Sequence, residues 1–421
     1  MSDCKDMNLN LFIAKKIRGR GLSSVSNGIA CVSVAVSIWI ILAAVAIAGG
    51  FKSEISKRAS GFTGDIVLTV PGLDYMNDVY PLHSDLSYLP SIKSVQGVLS
   101  VNEVAYKPGM IKSEKDVYGV MFKGVDSTYS MRFFQEFLTE GRLPDFSGNR
   151  MSDEVLISDR LAKLLGYGTG DRMTVYFIGD QVRVRRFLIT GLYDVQLESL
   201  DEKLAVVDVR QIRRLNGWEE HDASCLEVAV DSRGGYSSAG LCDRVYEETG
   251  RIIMTEDETG DAPVAVSRIS DIYPGLFDWL ALLDLNVLVV MVLMMAVAGF
   301  NMISGLLIIL FEKISMIGLL KSLGMRTSSI CKIFIFRGGA IVLKGMVWGN
   351  ALALVVLLLQ KWLKIITLDP DNYFVNFVPV EISLSHILLV DAAAFAVMLL
   401  IMILPSLFIS GVSPDRTLKV S

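Results

Sequence analysis

The chain has 421 residues, of which 52% are hydrophobic and 20% are charged, and its formal net charge is −5. A composition this apolar is atypical of soluble globular proteins and indicates membrane spans. The slightly acidic balance, without a basic stripe interleaved with aromatic residues, argues against a nucleic-acid partner.

The first segment, residues 1–24, is basic and amphipathic. Leu9, Phe12, Ile13 and Ile17 fall at helical spacing with Lys and Arg between them. This pattern predicts a helix on the inner membrane surface, and the alternative is the ordinary positive flank of a span. The apolar run that follows, residues 25–48, is long enough to cross about 30 Å of hydrocarbon as a helix.

A large polar region, residues 49–284, follows the first span. Runs rich in β-branched residues, such as DIVLTV and DVYGVMFKGV, alternate with helical segments and predict an α/β domain of two subdomains on a helical stalk. The stretch IGDQ predicts a short hairpin at 177–182. Cys225 and Cys242 have two interpretations, a disulfide or two buried free thiols on a strand and the next helix.

Three further apolar runs, 285–310, 335–359 and 387–409, complete the predicted spans. Lys and Arg concentrate before the first span, in the 311–334 loop and in the 410–421 tail. By the positive-inside rule these segments are cytoplasmic, whereas 49–284 and the short 360–386 loop are exported. The predicted fold class is an α-helical integral membrane protein with four transmembrane helices and a large exported α/β domain between the first two.

Polar and small residues inside the predicted spans indicate how the helices pack. Asn301 in the second span is expected to bond a neighbouring helix rather than a substrate. Gly345 and Gly349, four residues apart in the third span, are expected to allow a close helix contact. Lys344 in the same span is an unusual charge at membrane depth, and its side chain could extend to the cytoplasmic surface.

No catalytic constellation is visible in the sequence. The three histidines, His83, His221 and His386, stand apart from one another with no Cys or carboxylate at metal-ligand spacing. Neither a P-loop nor a G-x-S-x-G motif is present. We therefore expect no catalytic residue, no metal and no bound nucleotide in this chain.

The 311–334 loop contains the most informative motif, FEKISMIGLLKSLGM. It predicts a helix from Glu312 to Leu323, which Gly324 ends. One side of this helix is apolar: Met316, Leu319, Leu320 and Leu323, with Ile317 beside them. The opposite stripe is small and polar: Glu312, Ser315, Gly318 and Ser322. The helix could fit a groove of a cytoplasmic partner, and the alternative is a plain turn between spans.

This segment resembles the cytoplasmic coupling region of the FtsX-like ABC permeases, whose pattern is roughly E-K/R-x-x-x-I-G-x-L-K/R-x-x-G. The likeness extends over nearly the whole chain, through GFKSEISKRASGF, EGRLP, VLISDRLAKLLG and FLITGLY. Within this superfamily, V-P-V before the last span and the E-K start are most similar to the lipoprotein-releasing permeases of the LolC/LolE type.

The resemblance implies a function and a set of partners. A subunit of this kind extracts lipoproteins from the outer leaflet of the bacterial inner membrane, driven by a separate dimeric ABC ATPase that binds ATP and Mg²⁺. The implied partners also include a second permease subunit, identical or paralogous, membrane lipid and a soluble periplasmic carrier, although the short hairpin at 177–182 disfavours carrier docking here. The residues implied in ATPase coupling are Glu312, Lys313, Met316, Ile317, Gly318, Leu320, Lys321 and Gly324.

A groove for the lipid anchors is expected between the first two spans, at Ile47, Phe51, Leu288, Val292 and Met295. The alternative is that this face packs against lipid or the other spans. Two other functions remain open: an FtsX-like transmitter that controls a periplasmic cell-wall hydrolase, and an efflux permease of the macrolide-exporter type.

Overall fold

The computed structural model describes residues 22–74, 76, 80–112, 117–179, 181–197, 201–231, 236–256 and 263–407. The predicted surface helix at 1–24 lies almost entirely outside these residues, as does the 410–421 tail. The described chain forms two compact units. The helical unit comprises Met1–Phe51, Trp279–Ile366 and Val378–Ser421, and the sheet unit comprises Lys52–Asp278 and Thr367–Phe377.

Helices and strands alternate through the sheet unit, whereas the helical unit contains long helices. The helices are α1 (Leu22–Thr63), α2 (Leu89–Ser94), α3 (Arg132–Glu136), α4 (Asp159–Leu165), α5 (Val209–Asn216), α6 (Tyr236–Glu256), α7 (Ile269–Ile272), α8 (Pro274–Glu312), α9 (Ile314–Ser322), α10 (Thr327–Leu363), α11 (Pro370–Tyr373), α12 (Leu384–Ile401) and α13 (Ile403–Leu407). The strands are β1 (Ile66–Thr69), β2 (Leu82–His83), β3 (Val98–Lys112), β4 (Val117–Val125), β5 (Leu138–Gly141), β6 (Glu154–Ser158), β7 (Arg172–Phe177), β8 (Arg183–Tyr193), β9 (Leu204–Asp208), β10 (Asp222–Ala223), β11 (Cys225–Val230) and β12 (Ala265–Arg268).

Four helices of the structure are long and apolar enough to cross a membrane. They are Asn27–Thr63, Pro274–Glu312, Thr327–Leu363 and Leu384–Pro405, with mean hydropathies of 2.6, 2.6, 2.0 and 2.8 over their most apolar stretches. The large α/β domain lies in the sequence between the first and second of these helices. This part of the predicted fold class is confirmed.

The sheet unit is built on one ten-stranded mixed sheet in the order β12-β1-β11-β3-β4-β9-β6-β8-β5, with β7 pairing β3 and β8. The long strand β3 connects its two halves, because residues 98–104 pair with β11 and residues 105–112 pair with β4. Each half has its own hydrophobic cluster. β4, β9, β6 and β8 therefore continue, on the other side of β3, the sheet that begins with β12, β1 and β11.

Local sequence signals explain the element ends in this unit. Ser158 accepts a hydrogen bond from the backbone N–H of Leu161 at the start of α4, and Asp208 accepts one from Arg210 at the start of α5. Gly166 and Gly217 end these helices with φ of 76° and 71°. Phe177 pairs with Arg183, so five residues join β7 to β8, which confirms the short hairpin.

Contacts inside the helical unit confirm two expectations about packing. The Nδ2 of Asn301 donates a hydrogen bond to the Oγ of Ser33, 2.7 Å away. A Cβ at Gly345 would lie 2.8 Å from the carbonyl oxygen of Cys31, and one at Gly349 would lie 2.6 Å from that of Ala35. Because only glycine leaves room for these approaches, α10 packs closely on α1.

The end of α1 lies in an aromatic core of the sheet unit. Phe62 is fully buried, and its ring contacts those of Phe133, Phe134 and Tyr193 at centroid distances of 5.5–6.1 Å. A Cβ at Gly61 would collide with the ring of Phe133. Aromatic packing therefore anchors the last turn of α1 to this unit.

Candidate functional site

The predicted coupling segment forms a short helix between α8 and α10. The helix is α9, Ile314–Ser322, and Glu312 is the last residue of α8, so the helix begins two residues later than predicted. The backbone N–H of Lys313 donates to the carbonyls of Ile309 and Leu310, which completes α8 before the chain turns. Gly324 follows α9 with a φ of 85°, which confirms the predicted stop.

The chain's own helices cover one side of α9. Ile317 and Gly318 are buried, and Ile317 belongs to a small apolar cluster with residues of α8 and α10. The other buried members of this cluster are Ile309, Leu310, Ile330 and Phe334. The sequence places Gly318 in a small and polar stripe with Ser315 and Ser322, and in the structure Gly318 is buried whereas the two serines are exposed. Ile317 and Gly318 position α9 within this chain.

The opposite side of α9 presents apolar groups to the surface. Leu319 is 54% exposed and Leu323 is 76% exposed, and they are four residues apart, about one helical turn. Phe311, at the end of α8, is 63% exposed. We name Phe311, Leu319 and Leu323 the coupling surface. Exposed apolar anchors at this spacing are typical of a helix that binds a groove of another protein.

The remaining predicted coupling residues lie around this surface. Met316 and Leu320 are partly buried, and Leu320 packs against the small cluster. Lys313 and Glu312 form an ion pair at 3.3 Å. Lys321 is partly exposed in the last turn, where a cation interacts favourably with the helix dipole.

The predicted groove residues do not share one surface. Leu288 and Val292 are 52% and 60% exposed on α8, whereas Met295 packs against the core of the helical unit. Phe51 is buried, and its ring meets the edge of Trp279 at a centroid distance of 6.4 Å. Ile47 is partly buried. Of the predicted groove residues, Leu288 and Val292 are therefore the two whose apolar side chains are largely exposed.

A buried ion pair lies at the end of α1 in the sheet unit. Lys123 of β4 is fully buried, and its Nζ is 2.8 Å from the Oε2 of Glu227 on β11. The same Nζ donates to the carbonyl of Phe62 and, at 3.1 Å, to the hydroxyl of Tyr129. Glu227 also accepts from Tyr106 at 2.8 Å. We name these five residues the Lys123 network.

The electrostatics of the Lys123 network favour a charged lysine. Burial alone would lower the pKa of Lys123, but the Glu227 carboxylate and the Tyr129 oxygen outweigh burial and raise it above its usual value. The ammonium also neutralises the carbonyl end of α1. This network therefore joins α1 to both halves of the sheet, through β4 and β11.

Arg58, a residue of α1, forms a second polar junction in the sheet unit. Its side chain is 4% exposed, and Nη1 donates to the carbonyl of Val195 at 2.7 Å, the Oε1 of Gln196 at 2.8 Å and the carbonyl of Phe374 at 3.0 Å. Its Nε donates to Glu54 at 3.1 Å. Arg58 thus connects α1, the segment after β8 and the segment after α10 within the sheet unit.

Sequence reasoning missed Lys123, Glu227 and Arg58. The first two stand in strands that are otherwise apolar, VMFKGV and CLEVAV, where a charge at an inward position signals a buried partner. The partners are 104 residues apart in sequence, so the strand pattern does not identify them.

Asp201 gives the sheet unit a pH-dependent stability. It is 1% exposed, and burial, with repulsion from Asp194 second, raises its pKa to about 7, although backbone N–H groups of residues 195–197 oppose the shift. An acid with a higher pKa when folded binds its proton more tightly when folded. Protonated Asp201 therefore makes its full contribution to the free energy of unfolding below about pH 4, and this contribution is lost as the pH rises to about 7. At 1.36 kcal/mol per pKa unit, the loss is about 4 kcal/mol.

We expect Asp201→Asn to raise the thermal unfolding temperature relative to the unsubstituted chain, by more at pH 8 than at pH 5. The amide keeps a hydrogen-bonding side chain but does not ionise. Unfolding followed at both pH values checks this, with Asp85→Asn, at an exposed carboxylate, as the control. An equal difference at both pH values would contradict the assignment.

Metal-binding and nucleophilic chemistry has little support in the described ranges. His83 does not stand alone as predicted, because its Nδ1 lies 2.6 Å from Asp222 across the β2–β10 pair. No group of three or more His, Cys, Asp or Glu residues that could hold a metal occurs among the described residues.

Cys225 on β11 and Cys242 on α6 are free thiols, and Cys242 is only partly buried. Burial raises the pKa of both, that of Cys242 to about 12, so neither is a thiolate near neutral pH.

Two protein-family models match the chain. The MacB-like periplasmic core domain matches residues 28–239, and the FtsX-like permease C-terminal domain matches residues 288–414. The first match covers nearly all of the first long helix and most of the sheet unit. The second covers most of α8 and the whole of α9, α10 and α12.

Relatives with similar sequences match over nearly their whole length. The lipoprotein-releasing system transmembrane protein LolC of Xylella fastidiosa is 19% identical over 96% of this chain and 95% of its own. LolC of Neisseria meningitidis is 19% identical over 95% of each chain, and LolE of Haemophilus influenzae is 23% identical over 92% of each. The solved extracellular domain of the noncanonic ABC-type transporter YknZ covers 48% of this chain and 99% of its own, at 20% identity and a TM-score of 0.33.

Proposed function

Because the chain belongs to the FtsX-like ABC permeases and carries a MacB-like periplasmic core domain, we propose that it is the membrane subunit of a lipoprotein-releasing transporter. In this proposal the four long apolar helices cross the bacterial inner membrane. The sheet unit faces the periplasm, and both termini and α9 face the cytoplasm. The full-length similarity to LolC and LolE relatives is the observation that carries the proposal.

The distribution of basic residues supports this orientation. Lys313, Lys321 and Arg326 lie in or beside α9, between the second and third long helices, and Lys332 lies near the start of α10. Segments rich in Lys and Arg stay on the cytoplasmic side. α9 would then be accessible to a cytoplasmic ATPase.

Lipoprotein release needs an external energy source. Removing an acyl chain from a bilayer costs about 0.8 kcal/mol per methylene, so a 16-carbon chain costs roughly 13 kcal/mol and three chains cost tens. A groove can reduce this cost, and ATP hydrolysis must supply the rest. The chain itself is non-catalytic in this proposal, and the partner ATPase dimer holds ATP and Mg²⁺.

The coupling surface would bind a groove of that ATPase. Leu319 and Leu323 supply the apolar anchors, and the basic residues around them favour an acidic rim on the partner. The small cluster around Ile317 would transmit movement of α9 to α8 and α10. α1 is one uninterrupted helix from Leu22 to Thr63, and the Lys123 network and Arg58 connect its last turns to the sheet unit.

The acyl chains would lie along the open apolar face of α8. Only 6% of its most apolar stretch is buried, compared with 39% for α1 and α10 and 22% for α12. Leu288 and Val292 lie on this face. The second permease subunit, identical or paralogous, would complete the groove. The five-residue hairpin between β7 and β8 is short for a carrier-docking element, so we propose that any soluble carrier binds the second subunit.

Purification of the full chain from its native membrane in mild detergent tests this function. We expect an ABC ATPase and acylated proteins to copurify, with acylated protein released into solution when ATP and Mg²⁺ are added. Copurification of a peptidoglycan hydrolase without acylated protein would instead identify a signal transmitter. Extrusion of a small amphiphile without lipoprotein release would identify an efflux permease.

A further inference from the structure

Two cations lie on the outer face of α10 within its apolar length. Arg337 and Lys344 are seven residues apart, which places them on the same side of the helix about 10 Å apart along its axis. Lys344 is exposed and Arg337 is partly exposed. Within the described part of the chain neither residue makes an ion pair or a hydrogen bond, while Glu312 pairs with Lys313 and Asp391 accepts from Asn350.

The surroundings of these cations are apolar and bulky. Leu343, Val347 and Trp348 are 51%, 68% and 70% exposed beside Lys344. The four glycines of this stretch, Gly338, Gly339, Gly345 and Gly349, are all buried on the other side of α10. Close helix–helix contacts in membranes use small residues, so the glycine face of α10 packs against other helices. The opposite face, with its bulky apolar side chains, suits contact with lipid.

From this arrangement we propose that Arg337 and Lys344 bind the headgroup phosphate of an anionic phospholipid in the cytoplasmic leaflet. This inference rests on the membrane orientation of the proposed function. α10 would begin at the cytoplasmic surface, and helical side chains tilt toward the helix N-terminus, so both cations point toward the headgroups. The Lys344 stem can extend to the interface along apolar surface.

Charge and shape together favour a lipid over other anions. A free phosphate would need the two cations but not the exposed apolar residues beside them. A carboxylate of a second permease subunit would need small residues on this face for close approach. An anionic phospholipid matches both features, since its phosphate meets the cations and its acyl chains cover Leu343, Val347 and Trp348.

Native mass spectrometry of the full chain in detergent, with any subunits that copurify, tests this site. The probes are phosphatidylglycerol and cardiolipin, with zwitterionic phosphatidylcholine for comparison. We expect preferential binding of the two anionic lipids. Arg337→Gln and Lys344→Gln should each weaken that binding about fivefold, and the double variant about 25-fold if the effects add. Lys344→Arg should keep it.

Lys361→Gln is the matched control, because Lys361 is exposed on the same helix near its other end. It should leave lipid binding unchanged. The proposal is overturned if the double variant binds anionic lipid as before, or if it loses a second copy of the chain while lipid binding persists. The readout requires neither an ATPase nor a lipoprotein, so a negative result here is distinct from failure of the proposed transport function.

Discussion

If the proposed function holds, the double substitution Leu319→Glu and Leu323→Glu should reduce the stimulation of the proposed partner ATPase by lipoprotein at least tenfold. Both side chains are exposed and lie outside the small cluster that holds α9, so the chain should fold normally. Two carboxylates in an apolar groove are costly to desolvate, and 1.4 kcal/mol of lost binding already corresponds to a factor of ten. The reconstituted complex, assayed for ATP hydrolysis and ATPase copurification, provides the measurement.

A matched control separates loss of docking from general damage. Met254→Glu changes an 88% exposed apolar side chain in the sheet unit and should leave stimulation intact. Ile317→Ala should act differently, because Ile317 is fully buried and its truncation lowers stability by about 2–5 kcal/mol. Normal stimulation by the Leu319 and Leu323 double variant would show that the coupling surface does not bind the ATPase.

Lys123→Met should destabilise the sheet unit by about 3–5 kcal/mol, since it leaves the Glu227 carboxylate buried without a counter-ion. It also removes the donor to the carbonyl of Phe62 at the end of α1. For a domain of this size we expect an unfolding temperature about 10 °C lower. Thermal unfolding of the full chain in detergent measures the loss, and faster hydrogen exchange at β4 and β11 would locate it.

The control for this prediction is a surface pair on the same unit. Lys57 and Glu136 lie 2.7 Å apart but are 44% and 54% exposed, so Lys57→Met should cost no more than about 1 kcal/mol. The double variant Lys123→Met and Glu227→Met should be less damaging than the sum of the single changes, because the two charges are removed together. Equal effects of Lys123→Met and Lys57→Met would contradict the role assigned to the buried pair.

The sequence by itself determined the features that depend on neighbours along the chain. Roughly 20 consecutive apolar residues suffice to indicate a span, and four helices of that kind occur among the described residues. The caps of α4 and α5 and the stop at Gly324 follow from one or two residues each. Asn301 and the Gly345–Gly349 pair were also correctly assigned to helix contacts, because a polar or small residue in an apolar helix has few other uses.

Only the tertiary structure decided which faces are occupied. The periodicity of the sequence indicated an amphipathic α9. It could not distinguish a face that packs on the ends of α8 and α10 from a face open to a partner. Ile317 and Gly318 are predicted coupling residues and Met295 a predicted groove residue, but the sequence does not show that Ile317 and Gly318 are buried within the chain or that Met295 packs against the core of the helical unit. The Lys123–Glu227 pair joins strands 104 residues apart, and burial of a charge depends on long-range packing that local sequence does not encode.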